Sequence, residues 1–150
     1  MEHFPQRLSR EQSDELIERI EAHFEAHGYG LWALELRSSG EFIGFTGLAM
    51  TTFDAHFTPA VEIGWRLARS AWGEGYATEA ARAALAFGFD EVGLVEIVSF
   101  TTVANARSRA VMERIGMVHD PAEDFDHPGV PAGHPQSRHV LYRIAAPWSA

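Results

Sequence analysis

The chain has 150 residues, 46% of them hydrophobic and 22% charged, with a formal net charge of -9. That profile fits one domain, residues 1–150, with a substantial core, and argues against a nucleic-acid partner held by counterion release. There is no cysteine and all 12 basic residues are arginine, which excludes disulfides, thiolate nucleophiles, cysteine zinc sites, Walker-type phosphate loops and lysine Schiff bases.

The opening Met1-Glu2-His3-Phe4-Pro5 lacks the basic and apolar regions of a secretory leader. No apolar run approaches the ~18 residues that span a bilayer, so a cytoplasmic setting without membrane attachment is expected. Residues 9–26 predict an amphipathic helix. Ser9 and Gln12 form a capping-box pair, Leu16, Ile17, Ile20 and Phe24 recur at helical spacing, and Gly28 and Gly30 end the run. Residues 31–37 and 41–50 read as two strands joined by Ser38-Ser39-Gly40. Residues 51–60 read as a polar loop. In 61–67, Val61, Ile63, Trp65 and Leu67 alternate with Glu62, Gly64 and Arg66, the pattern of a strand with one apolar face.

A glycine-containing turn, residues 70–75, leads into an alanine-rich helix over about 76–89, whose Ala77, Ala80, Ala81 and Ala84 form a stripe able to approach a sheet closely. Residues 94–102 predict a β-branched strand. Asn105 caps a short helix that Gly116 terminates. Residues 120–138 contain four of the seven prolines and read as a long ordered loop, and 139–144 as the last strand. Strands alternating with helices predict a layered α/β or α+β domain.

The sharpest local feature is Trp72-Gly73-Glu74-Gly75-Tyr76-Ala77-Thr78-Glu79. Two glycines ahead of a helix turn the backbone so that N–H groups and the helix dipole converge on an anion such as a pyrophosphate. A Rossmann fingerprint would need a third glycine where Thr78 stands, and no acidic ribose partner follows a second parallel strand. The other reading is an ordinary turn leading into a helix.

Residues 61–117, from Val-Glu-Ile-Gly-Trp through the glycine turn to Asn105-x-x-Ser108 and Glu113-Arg-Ile-Gly-Met, resemble the GNAT superfamily. Within it they are similar to the branch of ribosomal-protein N-terminal acetyltransferases, the RimJ/RimL-like proteins. The superfamily signature, [Gln/Arg]-x-x-Gly-x-[Gly/Ala], is met by Gly75 and Ala77 but has Trp72 at its first position.

The resemblance implies a GNAT fold: a mixed, mostly antiparallel sheet with helices on both faces and a splay between the 61–67 and 94–102 strands. It implies acetyl-CoA as co-substrate, no metal, and direct acetyl transfer to a primary amine, either a protein N-terminus or a small molecule. Main-chain groups at Trp65 and Leu67 would hold the pantetheine arm, the turn from Gly73 through Glu74, Gly75, Tyr76 and Ala77 to Thr78 the pyrophosphate, and Asn105 the reactive end. The family also places a strand and helix ahead of residues 9–26. A chain lacking them would leave the 31–37 strand as an exposed edge, with a homodimer partner as its cover.

Acetyl transfer needs a neutral amine, a polarised carbonyl and a stabilised leaving thiolate. Glu62 is the candidate base; the other reading pairs it with Arg66 on the same face. A main-chain N–H near Ile63 or Gly64 would polarise the carbonyl. Met112 stands where the family often has an acidic tyrosine, so Ser108 is the candidate thiolate partner, or else a capping hydroxyl beside Asn105. Tyr142 is the weaker alternative. Trp32, Phe45, Phe125 and Asp126 are candidates for the acceptor pocket, with buried core or loop structure as their other reading. Arg107 and Arg109 would meet phosphates or solvate their helix. The eight histidines show no metal-binding spacing. The competing function is a catalytically silent acyl-CoA-binding module acting through a partner protein.

Overall fold

The computed structural model describes residues 9–147; residues 1–8, whose leading five were read for a targeting signal, lie outside that range. Helix α1, Arg10–His27, opens on the expected capping box: the Ser9 hydroxyl accepts from the Gln12 N–H at 3.1 Å and the Gln12 side chain accepts from the Ser9 N–H at 2.9 Å. Gly28 ends it in the left-handed conformation, φ 77°. None of its residues is deeply buried. His23 fastens its C-terminal end, donating from Nδ1 to the Tyr29 carbonyl at 2.8 Å and accepting the Met50 N–H at Nε2 at 3.0 Å.

Strands β1 (Leu31–Glu35), β2 (Phe42–Thr51) and β3 (Ala60–Leu67) form an antiparallel meander. Helix α2, Tyr76–Phe87, follows, and one wider turn, Gly88–Val92, extends it. Strand β4 (Glu96–Thr102), helix α3 (Ala106–Arg114) and β5 (Val118–His119) come next. The stretch read as a loop contains a two-residue strand, β6 (Phe125–Asp126), which pairs with β7 (Arg138–Ala145). The seven-stranded sheet runs β1-β2-β3-β4-β7-β5, with β6 on β7 outside that path. Among the described residues β1 is a sheet edge, paired only to β2. No helix among them is long and apolar enough to cross a membrane.

Of three hydrophobic clusters among the described residues, two lie on opposite faces of the sheet. The larger packs Leu48, Val61, Ile63, Ile97, Val140 and Tyr142 under the alanine stripe of α2 and against Val111 and Met112 of α3. The smaller gathers Phe57, Val98, Phe125 and Leu141 with the partly buried Phe53 and Phe100. Gly47 lets β1 and β2 approach, since a Cβ there would run into the Gly30 carbonyl.

Only β3 and β4 are parallel neighbours, and they share a single register pair, Glu62 opposite Val98. The expected splay begins there. Even-numbered residues of β3 bond to β2, as the Ala68 N–H donating to the Ile43 carbonyl at 2.8 Å continues to show. Backbone polar groups alternate edges along a strand, so Ile63, Trp65 and Leu67 face β4.

Candidate active site

The splay opens into a cleft of about 1720 Å³ walled by α1, the meander, the glycine turn, β4, α3 and two histidines, His127 and His139. One side of it is bounded by main chain of β3 and of the glycine turn. The Ser99 hydroxyl, itself fully buried, donates to the Ile63 carbonyl at 2.8 Å and clips the strands where they part. The Leu67 carbonyl is taken by the Trp72 indole N–H at 3.1 Å. The single pair at Glu62 engages the flanking main chain of β3, so the first N–H and C=O open to the gap belong to Trp65. Gly64, one of the two expected carbonyl polarisers, turns its main-chain groups to β2, and its carbonyl also accepts the Thr46 hydroxyl at 2.8 Å.

Gly73 and Gly75 both adopt φ 81°, and Gly75 caps α2 without any side-chain cap. The first N–H groups of a helix have no internal acceptor. Here the N–H groups from Gly73 to Thr78 meet no described protein acceptor; the first bond of α2 is Glu79 N–H to the Gly75 carbonyl at 3.1 Å. This is a concave row of donors on a positive helix end, the arrangement that holds a pyrophosphate. The cation missing from the first signature position arrives from α3: the Arg107 guanidinium lies 4.5 Å from the Trp72 ring centroid, and Arg69 flanks the same ring at 5.4 Å. Arg109 turns away instead, to the Tyr142 hydroxyl at 3.3 Å and the Val103 carbonyl at 3.0 Å.

Glu62 lines the same cleft. Burial pushes its carboxyl up to about 8, with the Thr51 hydroxyl pulling the other way. No ion pair joins it to Arg66, whose guanidinium is lowered to about 10 by its own burial. A carboxyl with an affinity for protons near neutrality suits general-base work. An arriving ammonium would favour its charged form.

The remaining candidates divide. Asn105 caps α3: its Oδ1 accepts the Ser108 N–H at 3.2 Å and its Nδ2 donates to the Thr101 hydroxyl at 2.9 Å. The Ser108 hydroxyl lines the cleft and makes no described hydrogen bond. Met112 is core that also reaches the cleft wall. Tyr142 lies outside the cleft, donating to Glu113 at 2.8 Å and stacked on His119 at 5.0 Å.

Of the four acceptor candidates, Phe45 lines the cleft and the others do not. The register explains Trp32: it stands opposite Thr46, while Phe45 stands opposite Ala33, so the two aromatics face opposite sides of the sheet and Trp32 packs between Phe24 and Phe87. Phe125 is buried in the smaller core, and Asp126 is exposed beside Arg138 at 3.5 Å. Sequence reasoning passed over Thr51 and Ser99, whose roles come from pairings between distant strands, and considered His139 only as one of several irregularly spaced histidines.

A family model described as an acetyltransferase (GNAT) domain matches residues 1–118. The uncharacterised protein YkkB of Bacillus subtilis is 34% identical over 108 residues, which are 72% of this chain and 62% of that protein. FsC-acetyl coenzyme A-N(2)-transacetylase of Aspergillus fumigatus is 38% identical over 96 residues, 61% of this chain and 40% of that protein. The chain thus spans less than two thirds of both curated relatives. The crystal structure of an acetyltransferase from Agrobacterium tumefaciens superposes with a TM-score of 0.72 at 30% identity, covering 94% of this chain and 74% of that one.

Proposed function

The chain belongs to the GNAT acetyltransferase domain family, and from that premise we propose that it moves an acetyl group from acetyl-CoA directly to a primary amine. The observation that carries this reading is one cleft shared by a buried carboxyl, Glu62, and a row of unpartnered N–H groups, Gly73 to Thr78, with the open edge of β3 between them. The residues present fit the co-substrate: the amide row and Arg107 suit its phosphates, and the Trp65 N–H and C=O suit the amide-bearing arm. Bound acetyl-CoA supplies an activated thioester.

Glu62 takes the proton of the incoming ammonium, directly or through water, and so yields the neutral nucleophile. The Trp65 N–H, the first free donor on the β3 edge, polarises the thioester carbonyl in place of Ile63 or Gly64. The Ser108 hydroxyl donates a hydrogen bond to the departing thiolate, the task a tyrosine at position 112 would otherwise do. Asn105 orients Ser108 by holding its N–H. The acceptor class extends from protein N-terminal amines, as in the ribosomal-protein branch, to small-molecule amines.

The test is thiol release from acetyl-CoA across a panel of amines, with CoA, NAD and ATP compared as ligands in thermal melts. CoA alone raising the melting temperature, with amine-dependent thiol release lost in Glu62→Gln, is the expected result. Stabilisation by CoA without thiol release on any amine would replace this reading with the silent acyl-CoA-binding module.

A further inference from the structure

The cleft has a wall that the transfer chemistry leaves unused. His127 and His139 both line it, beside Phe100. They arrive from different elements. His139 sits on β7, opposite Thr102 on one side and Phe125 on the other, and His127 directly follows β6. Their ring centroids are 5.0 Å apart. Phe100 stands 5.8 Å from His127 and 6.2 Å from His139, and Phe53 backs His127 at 4.4 Å.

The main chain fixes which nitrogen of each ring is used. His139 Nδ1 donates to the Ser137 carbonyl at 3.0 Å, so its Nε2 keeps the lone pair. His127 Nδ1 accepts the Gly129 N–H at 2.9 Å, so in the neutral ring the proton sits on Nε2. The Ser137 carbonyl also accepts the His127 N–H at 2.8 Å, tying both residues to one anchor. Burial lowers both imidazoles below their ordinary range; His139 adds to the lowering of His127, while the Ser137 carbonyl pulls His139 the other way. The three rings are tilted to one another by 48–59°, and the wall they form is uncharged at neutral pH, with one donor and one acceptor.

Carboxylates that would give this wall a negative charge are held elsewhere. Asp124 accepts from His119 at 2.8 Å, Asp126 faces Arg138, and Glu123 is gripped by Arg143 at 2.7 Å. None of the three lines the cleft.

We propose that His127, His139 and Phe100 form the acceptor-recognition wall and select an amine that carries an uncharged amide, rather than a second cation, beside the reactive nitrogen. The amide carbonyl accepts from His127 Nε2–H and the amide N–H donates to His139 Nε2, while Phe100 covers the amide plane. The proposal rests on the acetyl-transfer reading above and deepens it.

The test compares kcat/KM for phenylalaninamide, phenethylamine and spermidine in thiol-release assays. The wild-type protein is expected to prefer phenylalaninamide to both others. His139→Asn keeps a donor for Ser137 and removes the Nε2 acceptor; His127→Phe keeps the ring stack and removes the donor. Each variant is expected to lose about tenfold on phenylalaninamide, as one buried hydrogen bond is worth, and to stay within about twofold of wild type on phenethylamine. His139→Gln, whose amide reaches the Nε2 position, should recover part of the loss. Equal losses on both monoamines, or a wild-type preference for spermidine, overturn the wall while leaving the transferase intact. Absence of thiol release with every amine overturns the transferase reading and the wall with it. Unchanged CoA-dependent melting of each variant verifies that the fold is retained.

Discussion

Glu62→Gln should make the protein more stable while disabling it. Burial raises the Glu62 carboxyl from its ordinary 4.5 to about 8. Between those values the folded chain holds its proton on Glu62 while the unfolded chain has released it. Stability then falls as pH rises, by about 1.4 kcal/mol per pH unit, and the loss levels off above about 8. The accumulated penalty at pH 7 is on the order of 3 kcal/mol, of which about 2 kcal/mol survives local rearrangement and water entry. Glutamine keeps the shape and never ionises. In a chain of this length ~2 kcal/mol corresponds to a rise in Tm of about 6 °C. Thermal melts of both proteins without ligand, at pH 5, 7 and 8.5, read the effect: a small difference at pH 5, growing through 7, largest at 8.5. Thiol release should drop by roughly 100-fold or more, the loss expected of a general base. A glutamine variant that is less stable than wild type at pH 7 and 8.5, or a difference that does not change with pH, would refute the argument: the first requires a charged, partnered Glu62 in the folded protein, and the second a carboxyl whose proton affinity folding leaves unchanged.

Three further substitutions probe the frame around it. Gly75→Ala forces a side chain into φ 81°, so it should cost about 1 kcal/mol in denaturant melts and weaken CoA more than it weakens the fold, measured by calorimetric titration. Ser99→Ala removes the buried clip between β3 and β4 and leaves the Ile63 carbonyl without that donor; a loss of about 1–3 kcal/mol in urea unfolding is expected, and a loss near zero would show that the clip is idle. Ser9→Ala deletes the capping box of α1, worth about 1 kcal/mol to the helix. Because α1 has no deeply buried residue, hydrogen exchange in that helix should accelerate well before global stability changes.

Local chemistry was legible wherever the responsible groups are near in sequence. The Ser9/Gln12 box, the stop at Gly28, the alternation from Val61 to Leu67, the uncapped glycine turn and the Asn105 cap each involve residues within a few positions of one another. Which of the candidate acceptor residues reach the cleft was not legible, because that depends on register. Trp32 and Phe45 belong to adjacent strands and look alike in composition, yet the pairing of Trp32 with Thr46 puts them on opposite faces. Phe125 and Asp126 lie in a proline-rich stretch whose two-residue strand is held only by β7, and that pairing buries the phenylalanine and turns the aspartate out to Arg138. The same pairing draws His127 and His139 together through the Ser137 carbonyl. The widened turn at Gly88–Val92 had no local signal either. A Cβ on Gly88 would press on Leu48 of β2 and on Leu94 and Ile97 around the start of β4.

The single register pair between β3 and β4 has a mechanical consequence. It leaves the sheet as two panels, β1-β2-β3 and β4-β7 with β5 and β6, joined by one rung and one serine hydroxyl. Hydrogen bonding therefore couples the panels at one point, and the larger core beneath them supplies the rest of the joint. A pantetheine arm laid along the Trp65 edge would act as the missing rungs, so ligand and architecture would share one seam: the same bonds that hold the co-substrate would brace the panels against opening. Loading the cleft would then stiffen the hinge that carries Glu62, and emptying it would release that hinge.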